Sequence, residues 1–144
     1  MQSLANANEV RISNNTVERW LRHKLTRQGF TLTPKRENGE NGVDIQATNG
    51  QEAWRIEVIG YKSHGPARAK DFYEVFFRAV SRLNDGATHC VIALPCRAKN
   101  GLPQRAKHHR VAWLRIAEAF PELEIWLVDS DDYERRSWRE WVGE

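Results

Sequence analysis

Cysteine is scarce in this chain: Cys90 and Cys96 are the only two in 144 residues. They lack the CxxC spacing of a metal or redox motif, and two are too few for a disulfide framework. Cys90 lies inside an apolar stretch and reads as a reduced core residue. No apolar run reaches the roughly 20 residues needed to span a bilayer. The first residues, Met1 to Asn8, are polar and carry no apolar signal region, so the expectation is a cytoplasmic protein without membrane contact. A GxxxxGK[ST] phosphate loop is missing, which argues against an NTPase. Neither a GxSxG elbow nor a Cys–His arrangement supports covalent hydrolysis. No internal repeat or low-complexity segment is present.

What remains is an ordinary globular composition, 40% hydrophobic and 28% charged. The length suits one domain, expected over residues 13–144 after a loosely ordered stretch at 1–12. The six tryptophans are scattered and read as core and rim packing. The net charge of +3 is unevenly divided. Residues 1–117 hold 19 Lys and Arg against 10 Asp and Glu, and residues 118–144 hold 3 against 9. Between Gly86 and Ala117 there are six bases and no acid: Arg97, Lys99, Arg105, Lys107, Arg110 and Arg115. A region of one sign suits a polyphosphate partner. A solvated surface balanced by an acidic tail is the plainer alternative.

Periodicity and punctuation give the elements. A helix begins near Asn15, with Glu18 three residues on as in a capping box. Val17, Trp20, Leu21 and Leu25 form its buried stripe, and Gly29 ends it. Residues 30–33 read as an edge strand stopped by Pro34, and 35–41 as a polar loop. Pro66 suits the first turn of a helix over 67–84, which ends before Gly86. Thr88 to Leu94 is nearly all apolar, as in a strand buried on both faces. A basic loop, Arg97 to Arg105, leads into a helix over 104–120. Leu123 to Val128 is a strand. Tyr133, Trp138 and Trp141 suggest an amphipathic helix over 131–142.

Between the edge strand and the second helix lies a hairpin. Asn49-Gly50 is a strong two-residue turn signal. Centring the turn there sets Thr48 against Gln51 and Asp44 against Arg55. Side chains alternate between faces. Asp44 and Gln46 therefore share a face with Arg55, Glu57 and Ile59, while Val43, Ile45, Trp54, Ile56 and Val58 fill the other. Glu57 is then the diagonal neighbour of Asp44. Two converging carboxylates can hold a hard divalent cation that activates water against a phosphate. An Asp44–Arg55 cross-strand ion pair is the simpler use of the same geometry.

Gly42-Val43-Asp44-Ile45, the hairpin, and Arg55-Ile56-Glu57-Val58-Ile59-Gly60-Tyr61 together resemble the core motif of the PD-(D/E)XK nuclease superfamily, with Mrr-type members closest. The resemblance spans about residues 14–128. It implies a restriction-endonuclease-like αβββαβ core with a mixed sheet flanked by helices, extended by a further helix, strand and C-terminal helix. It also implies metal-dependent phosphodiester hydrolysis, that of an endonuclease using Mg²⁺ or Mn²⁺ on DNA or RNA. Asp44 and Glu57 match the two motif acids and would ligate the metal. Glu18 matches the first-helix acid that completes the site in several relatives, although capping is its local alternative. The motif lysine is replaced by Ile59. Lys62, or else Lys70, would then have to project an ammonium back into the site.

Lys70, Arg78, Arg97, Lys99, Arg105, Lys107 and Arg110 are the expected phosphate contacts. Gln46 lies on the carboxylate face, where it could orient water or substrate or simply meet solvent. His108-His109 has no cysteine or acid at ligand spacing, which argues against zinc. A second reading keeps the fold and drops the chemistry, leaving a module that binds nucleic acid or a protein partner. A third has the domain work only with a partner subunit or as a homodimer.

Overall fold

The computed structural model describes residues 11–36 and 43–143. The chain is a mixed α/β domain with a six-stranded open sheet flanked by helices. The first helix, α1 (Asn14–Arg27), precedes β1 (Thr31–Leu32) and the hairpin strands β2 (Ile45–Asn49) and β3 (Glu52–Val58). Helix α2 (Gly65–Ser81) leads to β4 (His89–Pro95). Helices α3 (Gly101–His108) and α4 (Arg110–Ala119) lead to β5 (Leu123–Val128) and β6 (Tyr133–Ser137). The strands lie in chain order, β1 to β6. The central three, β3, β4 and β5, are parallel, and each outer pairing is antiparallel. Crossovers through α2 and through α3–α4 supply the length that parallel neighbours require.

Each sheet face closes one core. On one side Val17, Leu21 and Leu25 of α1 pack on Ile45, Ala47, Trp54, Ile56, Val58, Val91 and Ala93. On the other, α2, α3 and α4 cover Ile59, Cys90, Ile92, Leu94, Ile125 and Leu127. Cys90 is a buried free thiol, as its apolar setting suggested, and Cys96 is exposed. Among the described residues no helix is long and apolar enough to cross a membrane.

The expectations for residues 1–10 and 37–42 lie outside the described residues. Ile12, placed at the end of the loosely ordered stretch, instead bridges Tyr61: its N–H donates to Tyr61 O at 2.9 Å and Tyr61 N–H returns a bond of 2.7 Å. Helix α1 is capped not by Asn15 but by Ser13, whose Oγ accepts from Thr16 N–H at 3.1 Å. That leaves Glu18 free for Arg22.

The hairpin register is shifted by two residues from the expected one. Asn49 pairs with Glu52 and Gln46 with Arg55. Gly50, at φ 64°, opens the turn, and Gln51, with negative φ, is its second central residue. A glycine at the first central position is the II′ pattern. Because the shift is even, every side chain keeps its expected face.

The C-terminal third departs from expectation in two places. The helix expected over 104–120 is two helices, broken at His109, whose φ of −109° and ψ of 37° are not helical. The helix expected over 131–142 is strand β6 followed by a 3-10 turn, Arg139–Val142. The edge strand is held by cross-strand partners. Arg135 donates twice to Glu124, at 3.0 Å each, and Tyr133 stacks on Trp126 at 5.0 Å between ring centroids. The turn beyond it drives Trp138 and Trp141 into the second core.

Candidate functional site

Glu57 is on β3, on the face covered by α2, and only 1% exposed. Extending the β2–β3 register one step places Asp44 directly opposite it, not diagonal to it. The structure thus brings both carboxylates to one face. Each is already engaged. Asp44 Oδ2 accepts from Val58 N–H at 2.8 Å, and its Oδ1 accepts from Arg36 at 2.5 Å. Glu57 Oε1 lies 3.6 Å from Arg78 Nε and Oε2 3.3 Å from Arg82 Nε. Arg55, across from Gln46, shares this face.

Burial dominates the electrostatics of Glu57. It pushes the carboxyl up to about 7, with Asp44 repulsion adding, against the opposing pull of Arg82, Arg78 and Arg36. Removing a carboxylate from water disfavours its charged form, and guanidinia at 3.3–3.6 Å recover only part of that cost.

Glu18 serves the backbone instead. Its Oε2 accepts from Arg22 Nε at 2.7 Å. Arg22 Nη1 in turn donates to Thr33 O at 2.5 Å and Nη2 to Asp44 O at 2.9 Å. One guanidinium thus ties α1 to β1 and to the entry of β2. Lys62 does not turn toward the acids; its Nζ lies 3.1 Å from Asp71 Oδ2. Lys70 is exposed on α2. Ile59 is buried and helps line a cavity of about 290 Å³ at the C-terminal ends of β3 and β4. Phe72, Leu94 and Leu102 line it as well, with Arg68 and Arg105.

A hard divalent cation takes oxygens from several ligands, and at this pair it would compete with the guanidinia. The Asp44 oxygens are hydrogen-bonded, whereas Glu57 Oε2 faces Arg82 but is buried without a hydrogen-bond partner among the described residues. Among the described residues, no three acids, histidines or cysteines gather as a metal-binding group.

The remaining bases form an open set. Arg97 sits on the 3-10 turn Cys96–Ala98, Arg105 and Lys107 on α3, and Arg110 at the start of α4. Arg97, Lys99, Lys107 and Arg110 are exposed, and Arg78 is half exposed. No salt-bridge partner accompanies Lys70, Arg97, Lys99, Lys107 or Arg110 among the described residues. Sequence reasoning missed the parts played by Arg22, Arg36 and Arg82. Only the same-face position of Arg55 hinted that guanidinia gather near the carboxylates.

No family model, no curated protein and no solved structure matches this chain. What the site can do therefore rests on its own geometry.

Proposed function

We propose that this chain is a nucleic-acid-binding domain with a restriction-endonuclease-like core that holds DNA or RNA phosphates without hydrolysing them. The element order and the Asp44–Glu57 placement support that core. One observation carries the loss of chemistry: the two acids face Arg36, Arg78 and Arg82, side chains of the protein itself, where a cation would have to bind. Ile59 adds to it, because a buried alkyl side chain at the lysine position can neither orient water nor offset developing charge. Phosphate binding draws on Lys70, Arg97, Lys99, Arg105, Lys107 and Arg110, while Arg78, expected among them, is paired with Glu57. Uncompensated cations release counterions from a polyphosphate on contact.

The test is affinity for single- and double-stranded DNA and RNA at two salt concentrations. Six phosphate contacts predict a loss of roughly 1000-fold between 50 and 200 mM salt. Alanine at Arg97, Lys99, Lys107 and Arg110 together should weaken binding and flatten that dependence. No binding to any of these polymers at low salt would reject the reading in favour of a protein partner.

A further inference from the structure

Tyr73 and Phe77 lie four residues apart on α2, 48% and 69% exposed. Side chains at that spacing are neighbours on a helix surface. Such rings are usually buried, and here they stand among cations. Lys70 precedes Tyr73 by three residues and Arg78 follows Phe77. Arg105 reaches over from α3. Of the two α2 carboxylates, Asp71 is held by Lys62, which leaves Glu74 facing solvent.

Tyr73 is held in place. Its hydroxyl accepts from Arg105 Nη1 at 3.0 Å and lies 3.3 Å from His109 Nε2. The Arg105 guanidinium sits 5.4 Å from its ring centroid. The Phe72 ring packs against it at 5.9 Å. The ring is therefore presented to solvent in a fixed orientation, with a planar cation beside it. Arg105 also lines the cavity under Ile59.

We propose that the exposed face of α2 is a stacking platform for single-stranded nucleic acid, on which Tyr73 and Phe77 carry bases while Lys70 and Arg105 hold the phosphates. The proposal rests on the nucleic-acid-binding reading and names its substrate class. Charge complementarity selects this occupant, because from Gly86 to Ala117 the neighbouring α3–α4 region has bases and no acid. Aromatic faces stack on unpaired bases of any sequence, whereas a duplex keeps its base faces inside. The rings therefore distinguish strand state, while the cations serve any polyphosphate.

The experiment is fluorescence anisotropy with a labelled oligonucleotide of mixed sequence, single-stranded and as its duplex, at low salt. The parent is compared with Tyr73→Ala, Phe77→Ala and Tyr73→Phe, and thermal melts confirm that each variant folds. Single strands should bind more tightly than duplex. Each alanine should weaken single-strand binding by about 5- to 150-fold and leave duplex binding nearly unchanged. Tyr73→Phe, which keeps the ring, should retain most of the affinity. Equal loss for both forms, or no loss, overturns the platform while leaving phosphate binding intact. Absence of binding to either form removes the parent reading and this one together. Sedimentation showing a parent dimer that Phe77→Ala dissociates, with single-strand affinity unchanged, assigns the patch to a second copy of the chain and also overturns the proposal.

Discussion

Glu57 Oε2 lies 3.3 Å from Arg82 Nε, beneath α2, yet the carboxyl is pushed up to about 7. Burial outweighs the guanidinia. A folded value near 7 above an ordinary 4.5 means the fold prefers the protonated carboxyl. Its contribution to stability is complete below about 4.5 and is lost as pH rises through about 7. The shift corresponds to about 3 kcal/mol. Urea midpoints across this range should therefore show a downward slope in the parent that Glu57→Gln removes. Identical slopes in the two proteins would show that Glu57 titrates normally.

The face of each hairpin residue was legible in the sequence because it depends only on parity. A one-residue error in the turn, which shifts the pairing by two, left Asp44 and Glu57 on one face. The exact partners were not legible, because the choice between Asn49 and Gly50 as first turn residue rests on a single positive φ. Strand β6 was hidden for a different reason. The spacing of Tyr133, Trp138 and Trp141 imitates a helix, and the contacts that overrule it come from Glu124 and Trp126 on another strand. The guanidinia around the acids were hidden likewise. Arg36 and Arg82 converge from a loop and a helix end, and local pattern does not encode their meeting.

Gly60 is fixed by close packing. Its N–H donates to Asn14 Oδ1 at 2.6 Å. An added Cβ would fall on Ile12 O and within 2.8 Å of Asn14 N. All of those atoms are backbone and cannot swing aside. Gly60→Ala should therefore destabilise the domain by about 1–3 kcal/mol, measured by urea unfolding. Proteolysis should then open first near residues 12–14, where α1 docks on the end of β3. A wild-type midpoint would show that this junction is loose.

Trp113 and Trp138 exchange hydrogen bonds: Trp113 Nε1 donates to Trp138 O at 2.7 Å and Trp138 Nε1 to Trp113 O at 2.9 Å. Their rings stack at 3.9 Å between centroids. This pair fastens the C-terminal turn to α4. Trp138→Phe keeps an aromatic ring but leaves the buried Trp113 carbonyl without that donor, at a cost of about 1–3 kcal/mol. Trp138→Ala should cost about 3–5 kcal/mol. Denaturant midpoints of the two variants should rank in that order. Equal loss would mean that the hydrogen bond, and not the ring, supplies the stability.

Ile59 and Glu57 point to the same face, so Ile59→Lys puts an ammonium where the nuclease motif has one. The buried position borders the 290 Å³ cavity, which offers the longer side chain a route to solvent. Even so, Arg36 and the α2 arginines still face the oxygens that a cation would need. The parent and Ile59→Lys should therefore both leave labelled DNA and RNA intact with Mn²⁺. Adding Arg78→Ala and Arg82→Ala to Ile59→Lys uncovers Glu57, and cleavage in that triple variant alone would mark the arginines as the block. Cleavage by the parent that Glu57→Ala abolishes would restore the hydrolytic reading. Lys62→Ala then decides the amine, because Lys62 would first have to leave Asp71 to reach the site.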